Sequence, residues 1–392
     1  MKELDDALAM RSAGADLLSL ALIDTRNHTL RWLSLFESTG ALDKRDGGAA
    51  ALWLAGHGGW YQDQWIARHV QRQRGEDSDG SALRLAPADA AVDAWYGGAL
   101  VPPSPDRLRR YLAETLETTL DLLATAGDDD ASLHYFRLAL RHEDRLAESL
   151  AERAAELQLP LPGDLLPPQP VRPARDALWL PAQTVALGST PGGCVPENER
   201  WAHAVVMPEF EIDAQAVSWA RYIEFAEDGG YDRREHWSEP GWVWLQNEGR
   251  RAPRHVEQLR GAVLVQRQGQ MQRVAAALPV LHVSRFEAEA WCRWAGRRLP
   301  TEPEWTAAAL GAGPRGFVWG DVFEWVAGSA RGWLGYAAGP GALDAVPPPG
   351  SHQAVLRGAA WMTRQRSRHP QARRFAAPAR DTMFCGFRSS AL

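Results

Sequence analysis

SLHYFRLALRHEDRLAES, residues 132–149, decides the reading of the N-terminal half. Phe136, Leu138, Leu140, Leu146 and Leu150 recur at helical spacing, with Arg137, Arg141, Asp144 and Arg145 assigned to water. The pattern predicts one amphipathic helix. His142 sits in its middle, followed by Glu143 and, further on, Glu148. A second stretch, ALWLAGHGGWYQDQWIAR at 51–68, also reads as helical and carries His57 after Gly56. A single histidine on a helix face is more often a hydrogen-bonded core or surface residue than a ligand. Two of them on packed helices are how bundles build metal sites.

Composition narrows the class. A chain of 392 residues predicts two domains. The formal net charge of −6 gives no electrostatic footprint for nucleic acid. Cys194, Cys292 and Cys385 have no CxxC spacing and no disulfide framework, which suits a reducing cytoplasm. The acidic start, MKELDDALAMRSAGADLL, does not read as a signal peptide. No run of 18 apolar residues predicts a membrane span. Most tryptophans lie from Trp179 onward, many beside glycine or charge, so a loop-rich domain anchored by large aromatics is expected there.

Taken in order, residues 1–160 predict a helical bundle. Helices are expected from Leu4, from Asp24 or Thr25 as an N-cap, around His57, from Pro105 to Thr125, and around His142. With these connections the set predicts an antiparallel four-helix bundle. The proline-dense LPLPGDLLPPQPVRPAR predicts a stiff linker, with 161–175 as the interdomain segment. Residues 176–392 change texture. TVALGST, AVVMPEFEID and GAVLVQRQ read as strands, and EAEAWCRW as a helix ended by Gly296. The fold class expected is α+β in two domains.

Ordered pieces of the second half carry a specific resemblance. MPEFEID, VSWARYIEFAEDGGY, PVLHVSRFEAEAWCRWAGRRLPTEPEW, VWGDVFEWV, VLRGAAW and FCGFRSS resemble the formylglycine-generating-enzyme, or sulfatase-modifying-factor, fold, which is C-type-lectin-like. GHGGWYQDQW and LALRHEDRLAE resemble the DinB-like bundle. Together, in that order, they resemble the ergothioneine-type sulfoxide synthases and selenoneine synthase. The resemblance implies one non-heme Fe(II) held by three histidines, O2 activation, and a carbon–sulfur or carbon–selenium bond made to the imidazole of hercynine. It implies His57 and His142 as metal ligands and Glu148 as the end of the HxxxHxE motif. The substrates implied are hercynine, O2 and a selenosugar or thiol, with no nucleic acid and no membrane. Such a cytoplasmic enzyme would use Trp60 and Tyr61, beyond His57, and Phe375 to bind substrate. The resemblance implies a catalytic proton-donor tyrosine between FEW and LRG, and Tyr336 is the only tyrosine in that interval, although GPGALDAVPPPG, where it is expected, contains none.

Three departures from the family pattern are legible. Leu146 stands where the second histidine of HxxxHxE belongs, and leucine does not ligate. His28 and Glu143 are the alternatives for a third donor, whereas His134 and His69 are too far along their helices from His142 and His57. Arg107, Arg109 and Arg110 fall on a helix face rather than in the expected thiol-binding loop, which favours a neutral selenosugar donor. Arg374 enters the betaine pocket beside Phe375 and repels a trimethylammonium, although Phe375 offers a cation–π face. These losses together also fit a non-catalytic paralogue that binds a small molecule or a protein. Asp321, Glu324, Cys292, Cys385, Arg357 and Arg388 are read as structural.

Overall fold

Long apolar-periodic segments free of interior proline can close their own backbone hydrogen bonds, and the first 160 residues are rich in them. The computed structural model describes residues 2–45, 49–96 and 103–392. The helices are α1 (Ala7–Arg11), α2 (Ala15–Ser38), α3 (Ala51–Gln62), α4 (Val92–Tyr96), α5 (Pro105–Ala124) and α6 (Asp130–Glu156). Ser104 caps α5 by accepting from Arg107 N–H, with Pro105 in the first turn, and Asp129 caps α6 from Ser132 N–H. The four long helices α2, α3, α5 and α6 pack on one another as a bundle.

The expected helix start at Asp24 is not there, because α2 runs unbroken through it. The polar residues of that stretch serve tertiary contacts instead of a cap. Thr25 donates to Asp144, Arg26 grips Glu143, and Asp24 pairs with Arg364 and Arg366 of the C-terminal half. Arg137 and Asp144, assigned to water from periodicity, are buried for the same reason. Arg137 donates to the Ala13 carbonyl, and Asp144 receives both arms of Arg366 at 2.8 Å.

No helix or strand forms between Leu157 and Leu178, as proline density requires. Trp361 nevertheless donates to the Pro167 carbonyl, and Arg172 pairs with Asp321, so this segment is tied to the C-terminal half.

The C-terminal half contains β1 (Leu178–Leu180), β2 (Gln183–Leu187), β3 (His203–Met207), β4 (Phe210–Ile212), α7 (Trp219–Glu227), α8 (Glu239–Glu248), β5 (Val256–Arg260), β6 (Ala262–Arg267) and β7 (Gln270–Val274). It continues with α9 (Arg285–Trp294), β8 (Arg297–Arg298), α10 (Glu302–Gly311), β9 (Phe323–Ser329), β10 (Ala354–Gly358), β11 (Arg373–Ala376), β12 (Cys385–Phe387) and β13 (Ser390–Ala391). One sheet has the order β1-β4-β13-β8 and another β11-β10-β9-β12, with β2-β3 and β5-β6-β7 as smaller antiparallel units. Short strands leave much backbone irregular, and buried side-chain ion pairs hold it. Arg388 binds Glu324, which also accepts from Trp305, while Arg373 binds Glu302 at 2.7 and 2.9 Å. Asp321, Glu324, Arg357 and Arg388 are therefore scaffold. Cys292 and Cys385 are buried free thiols. The α+β, two-domain architecture stands, and one apolar cluster runs from α3, α5 and α6 into the C-terminal half.

Candidate active site

Helix α3 approaches α4 and α5 closely because it presents glycine where a side chain would collide. A Cβ on Gly56 would meet the Tyr96 hydroxyl at 1.7 Å, and one on Gly59 would meet Leu112 at 2.8 Å. On its other face α3 packs on α6, where a Cβ on Gly58 would be in ordinary contact with Glu143 at 3.4 Å, and this pairing brings His57 and His142 together, with His57 Nδ1 2.7 Å from His142 Nε2. One ring donates to the other. Burial holds His57 down to about 4 and His142 well below its ordinary value, so both imidazoles are neutral at pH 7. Trp53 and Trp60 each lie 4.8 Å from the His57 ring, and Tyr61 lies 4.8 Å from His142. The Trp53 indole N–H and the Tyr96 hydroxyl, beside His57, are buried without a partner among the described residues. A π-helical turn, Asp63–Ala67, follows α3 directly, a distortion often found beside functional sites.

Neutral imidazoles from two helices are suitable donors for a ferrous ion. The third donor is missing. Among the described residues no group of three His, Cys, Asp or Glu is placed to hold a metal. Leu146, one turn beyond His142 and 7% exposed, fills that place. Glu143 cannot substitute, because both its oxygens bind Arg26 at 2.7 and 3.1 Å. His28 accepts from Trp32 on the other side of α2, among Arg364, Arg31 and Asp144. His69 packs on Trp65 and Tyr135, away from the pair. The residues thus fit a two-imidazole metal site and not the three-histidine site.

The next turns of α6 wall a cavity of about 470 Å³ between the two halves. Arg145 and Glu152 face Asp344, Arg374, Phe375 and Arg380 there. Asp344 receives Arg141 at 2.8 Å and also Arg145. Glu148 pairs with Arg374, and Glu152 accepts from Arg380 at 3.1 Å. Burial, with Arg145, Arg141 and Arg380 nearby, pushes Arg374 well below the usual arginine range. The cavity wall is therefore dense in cations. Burial also pushes Glu152 up to about 7, so it holds or releases a proton near neutrality.

The sequence-based residues separate into two groups. His57, His142, Trp60 and Tyr61 form one aromatic cluster, roofed where the Tyr61 hydroxyl donates to the Gly341 carbonyl. Phe375 lies instead in the cavity wall, and the Arg373 guanidinium sits 4.9 Å from its ring. Tyr336, the expected proton donor, belongs to neither group. Its hydroxyl accepts from Val346 N–H at 2.8 Å, and Tyr336 does not line the cavity. It braces the 343–348 loop. Arg107 and Arg109 form surface pairs with Asp89 and Glu37, as a solvated face predicts. Part of WYGGALVPPSPDRLRR, the stretch in which the thiol-binding loop is expected and which looks short for it, lies at 97–102, outside the described residues. Sequence reading missed Asp344, Arg380 and Glu152. Only the 141, 145, 148, 152 spacing on α6 hinted at a charged face awaiting partners.

Residues 163–321 match the sulfatase-modifying factor enzyme 1-like domain. The chain is 29% identical to the hercynine oxygenase of Mycobacterium tuberculosis, over 86% of this chain and 89% of that protein. It is 28% identical to the hercynine oxygenase of Mycolicibacterium smegmatis, over 96% of this chain and 98% of that one. A formylglycine-generating enzyme of Streptomyces coelicolor is 32% identical over 38% of the chain and 52% of its own length. Likeness to the hercynine oxygenases runs through both halves, whereas likeness to the formylglycine-generating enzyme covers a minority of the chain. The chain thus resembles the ergothioneine-type sulfoxide synthases along most of its length, with a formylglycine-generating-enzyme-like domain in its second half.

Proposed function

We propose that the protein is an oxygenase acting on hercynine, joining sulfur or selenium to its imidazole with Fe(II) and O2, and that a selenosugar is the favoured donor. The observation that carries this reading is the convergence of His57 and His142 in a chain similar along its length to hercynine oxygenases. Fe(II) would be held by these two imidazoles and would supply the redox chemistry with O2 when bound. The chain's own groups do the rest. Arg145 and Arg380 suit the hercynine carboxylate. Glu152, charged above neutrality, offsets the trimethylammonium. The apolar roof over Tyr61 excludes water. Two of the three arginines of the 107–110 helix face, Arg107 and Arg109, are already held in surface pairs with Asp89 and Glu37, which favours a neutral donor. The division into a bundle over 1–160, a linker over 161–175 and a second domain over 176–392 belongs to this reading. So does a cytoplasmic setting, which suits three buried free thiols. No helix among the described residues is long and apolar enough to cross a membrane.

A second reading rests on Leu146 and the Glu148–Arg374 pair. A leucine in the donor set and a guanidinium in the cavity suit a non-catalytic paralogue that binds a small molecule. Anaerobic reconstitution with Fe(II) and elemental analysis, with His57→Ala as control, separates the two. Stoichiometric iron in the wild type and loss in the variant supports the oxygenase. Incubation with hercynine, O2 and either a selenosugar or a thiol then identifies the donor by product mass. Sub-stoichiometric iron in both proteins overturns the oxygenase reading.

A further inference from the structure

A second cavity, of about 340 Å³, shares no lining residue with the first. It lies where the end of α6, the proline-rich segment and the β5–β6 hairpin meet, with Trp219, Trp361 and Phe384 as aromatic walls. Its polar atoms are unusual in being buried and unused. His255 Nε2, the Trp219 indole N–H, Gln158 Oε1 and both amide atoms of Gln169 have no partner among the described residues. Native interiors pair nearly all such atoms, so a cluster of them in one cavity points to a missing ligand.

The chemistry of that ligand follows from the donors. The Gln158 amide N–H group donates to the Ala155 carbonyl at 3.0 Å and to His255 Nδ1 at 3.1 Å. His255 therefore carries its proton on Nε2, which is an unpaired donor. Trp219 and Gln169 add further unpaired N–H groups. Arg267 is desolvated in the same cavity, with no carboxylate among its neighbours and no ion pair among the described residues. Arg254, the other cation, is neutralised by Asp381 at 2.7 Å. Burial above all, with Arg267 a smaller contribution, holds His255 and His282 well below the ordinary histidine range, so both rings remain neutral. Three N–H donors, two amide oxygens and one uncompensated cation face apolar walls, and no acidic side chain lines the space.

The backbone supports the same conclusion. Gln158, His255, Gln268 and His282 have φ of 55, 66, 54 and 59°, the left-handed region that disfavours side chains. All of them line this cavity. Gln158 ends α6, with Leu159 N–H bonded to the Ala154 carbonyl, a position where glycine is preferred. Gln268 stands in the β6–β7 turn. Neither explanation applies to His255 or His282. Strained residues of this kind concentrate at ligand sites.

We infer that this cavity binds a small monocarboxylate with an apolar, ring-sized body, its carboxylate received by Arg267 and the His255 Nε2–H group and its body packed against Trp219, Trp361 and Phe384. The site is separate from the His57–His142 pair and does not depend on the oxygenase reading.

Isothermal titration with 3-phenylpropionate, cyclohexanecarboxylate and indole-3-acetate, each beside its primary amide, tests this in the full chain. At least one acid is expected to bind with a Kd below 1 mM and at least tenfold tighter than its amide. Arg267→Gln is expected to weaken that acid at least tenfold and Arg267→Lys less, while His57→Ala leaves its Kd unchanged. Unliganded Arg267→Gln is expected to melt no lower than wild type, since it removes an uncompensated charge. The inference is overturned if no acid binds, if acid and amide bind alike, or if folded Arg267→Gln binds as wild type does. The wild-type acid and amide comparison decides the matter even where a variant fails to fold.

Discussion

Leu146→His tests the account of the donor set most directly. Leu146 follows His142 by four residues on α6, and side chains at that spacing have Cβ atoms about 5–6 Å apart on one helix face. A third imidazole would thus approach the ion offered to His57 and His142. Leu146 is only 7% exposed, and full burial of a leucine contributes about 2 kcal/mol. Replacing it with a ring whose nitrogens lack partners costs about 1–3 kcal/mol in the metal-free protein. Metal reverses the sign. At a free concentration of a hundred times Kd, binding returns about 2.7 kcal/mol. At about 2–4 °C per kcal/mol for a unit of 150–250 residues, that raises Tm by roughly 5–10 °C. The pair is already neutral at pH 7, so no proton need be lost to solvent; the one between the two rings has only to move to the other nitrogen of its imidazole. Anaerobic Co(II) titration followed by absorption, with Tm measured in parallel, is the assay. Leu146→His is expected to bind Co(II) at least about tenfold tighter than wild type, a difference of about 1.4 kcal/mol. Leu146→Ala, the cavity control, is expected to lose about 2–5 kcal/mol of stability with no gain in metal affinity. Equal Co(II) affinity in wild type and a folded Leu146→His would refute the assignment of residue 146 to the missing donor position.

Other perturbations have equally definite outcomes. Glu143→Gln leaves the buried Arg26 cation without its charge partner and should cost about 3–5 kcal/mol in urea unfolding. A loss under 1 kcal/mol would show that the Leu112 carbonyl suffices for Arg26. Asp344→Asn frees Arg141 and Arg145, which are 22% and 32% exposed, so water offsets part of the loss and about 2–3 kcal/mol is expected. The same variant should become faster to cleave by protease within 339–344. Glu152, raised to about 7 in the folded chain, binds a proton there at pH values where the unfolded chain has released it. Stability must therefore fall as pH rises from about 5 to above 7, by at most about 3 kcal/mol at 1.36 kcal/mol per pH unit. Glu152→Gln should flatten that slope, and an unchanged slope in urea midpoints from pH 5 to 8 would move the effect to another group, with Glu287 the next to test.

The sequence by itself determined the elements and the kind of protein. Apolar spacing located the α6 helix around His142, proline density stopped helix and strand between Leu157 and Leu178, and ordered motifs from MPEFEID to FCGFRSS marked the C-terminal half. It also exposed Leu146 as an interruption of the donor set, because a missing residue type is visible without coordinates. What it could not decide were contacts between residues far apart in the chain. Helical period assigned Arg137 and Asp144 to water, yet a second domain covers that face and supplies Arg366. Local chemistry placed a cap at Asp24, but its carboxylate serves Arg364 and Arg366 instead. Tyr336 occupied the expected interval, and only packing showed its hydroxyl held by Val346. The unused donors of Gln169, Trp219 and His255 come from three remote segments, and no spacing rule joins them. Secondary structure is set largely by neighbours within a turn or two, whereas a site is set by which distant side chains the fold desolvates together.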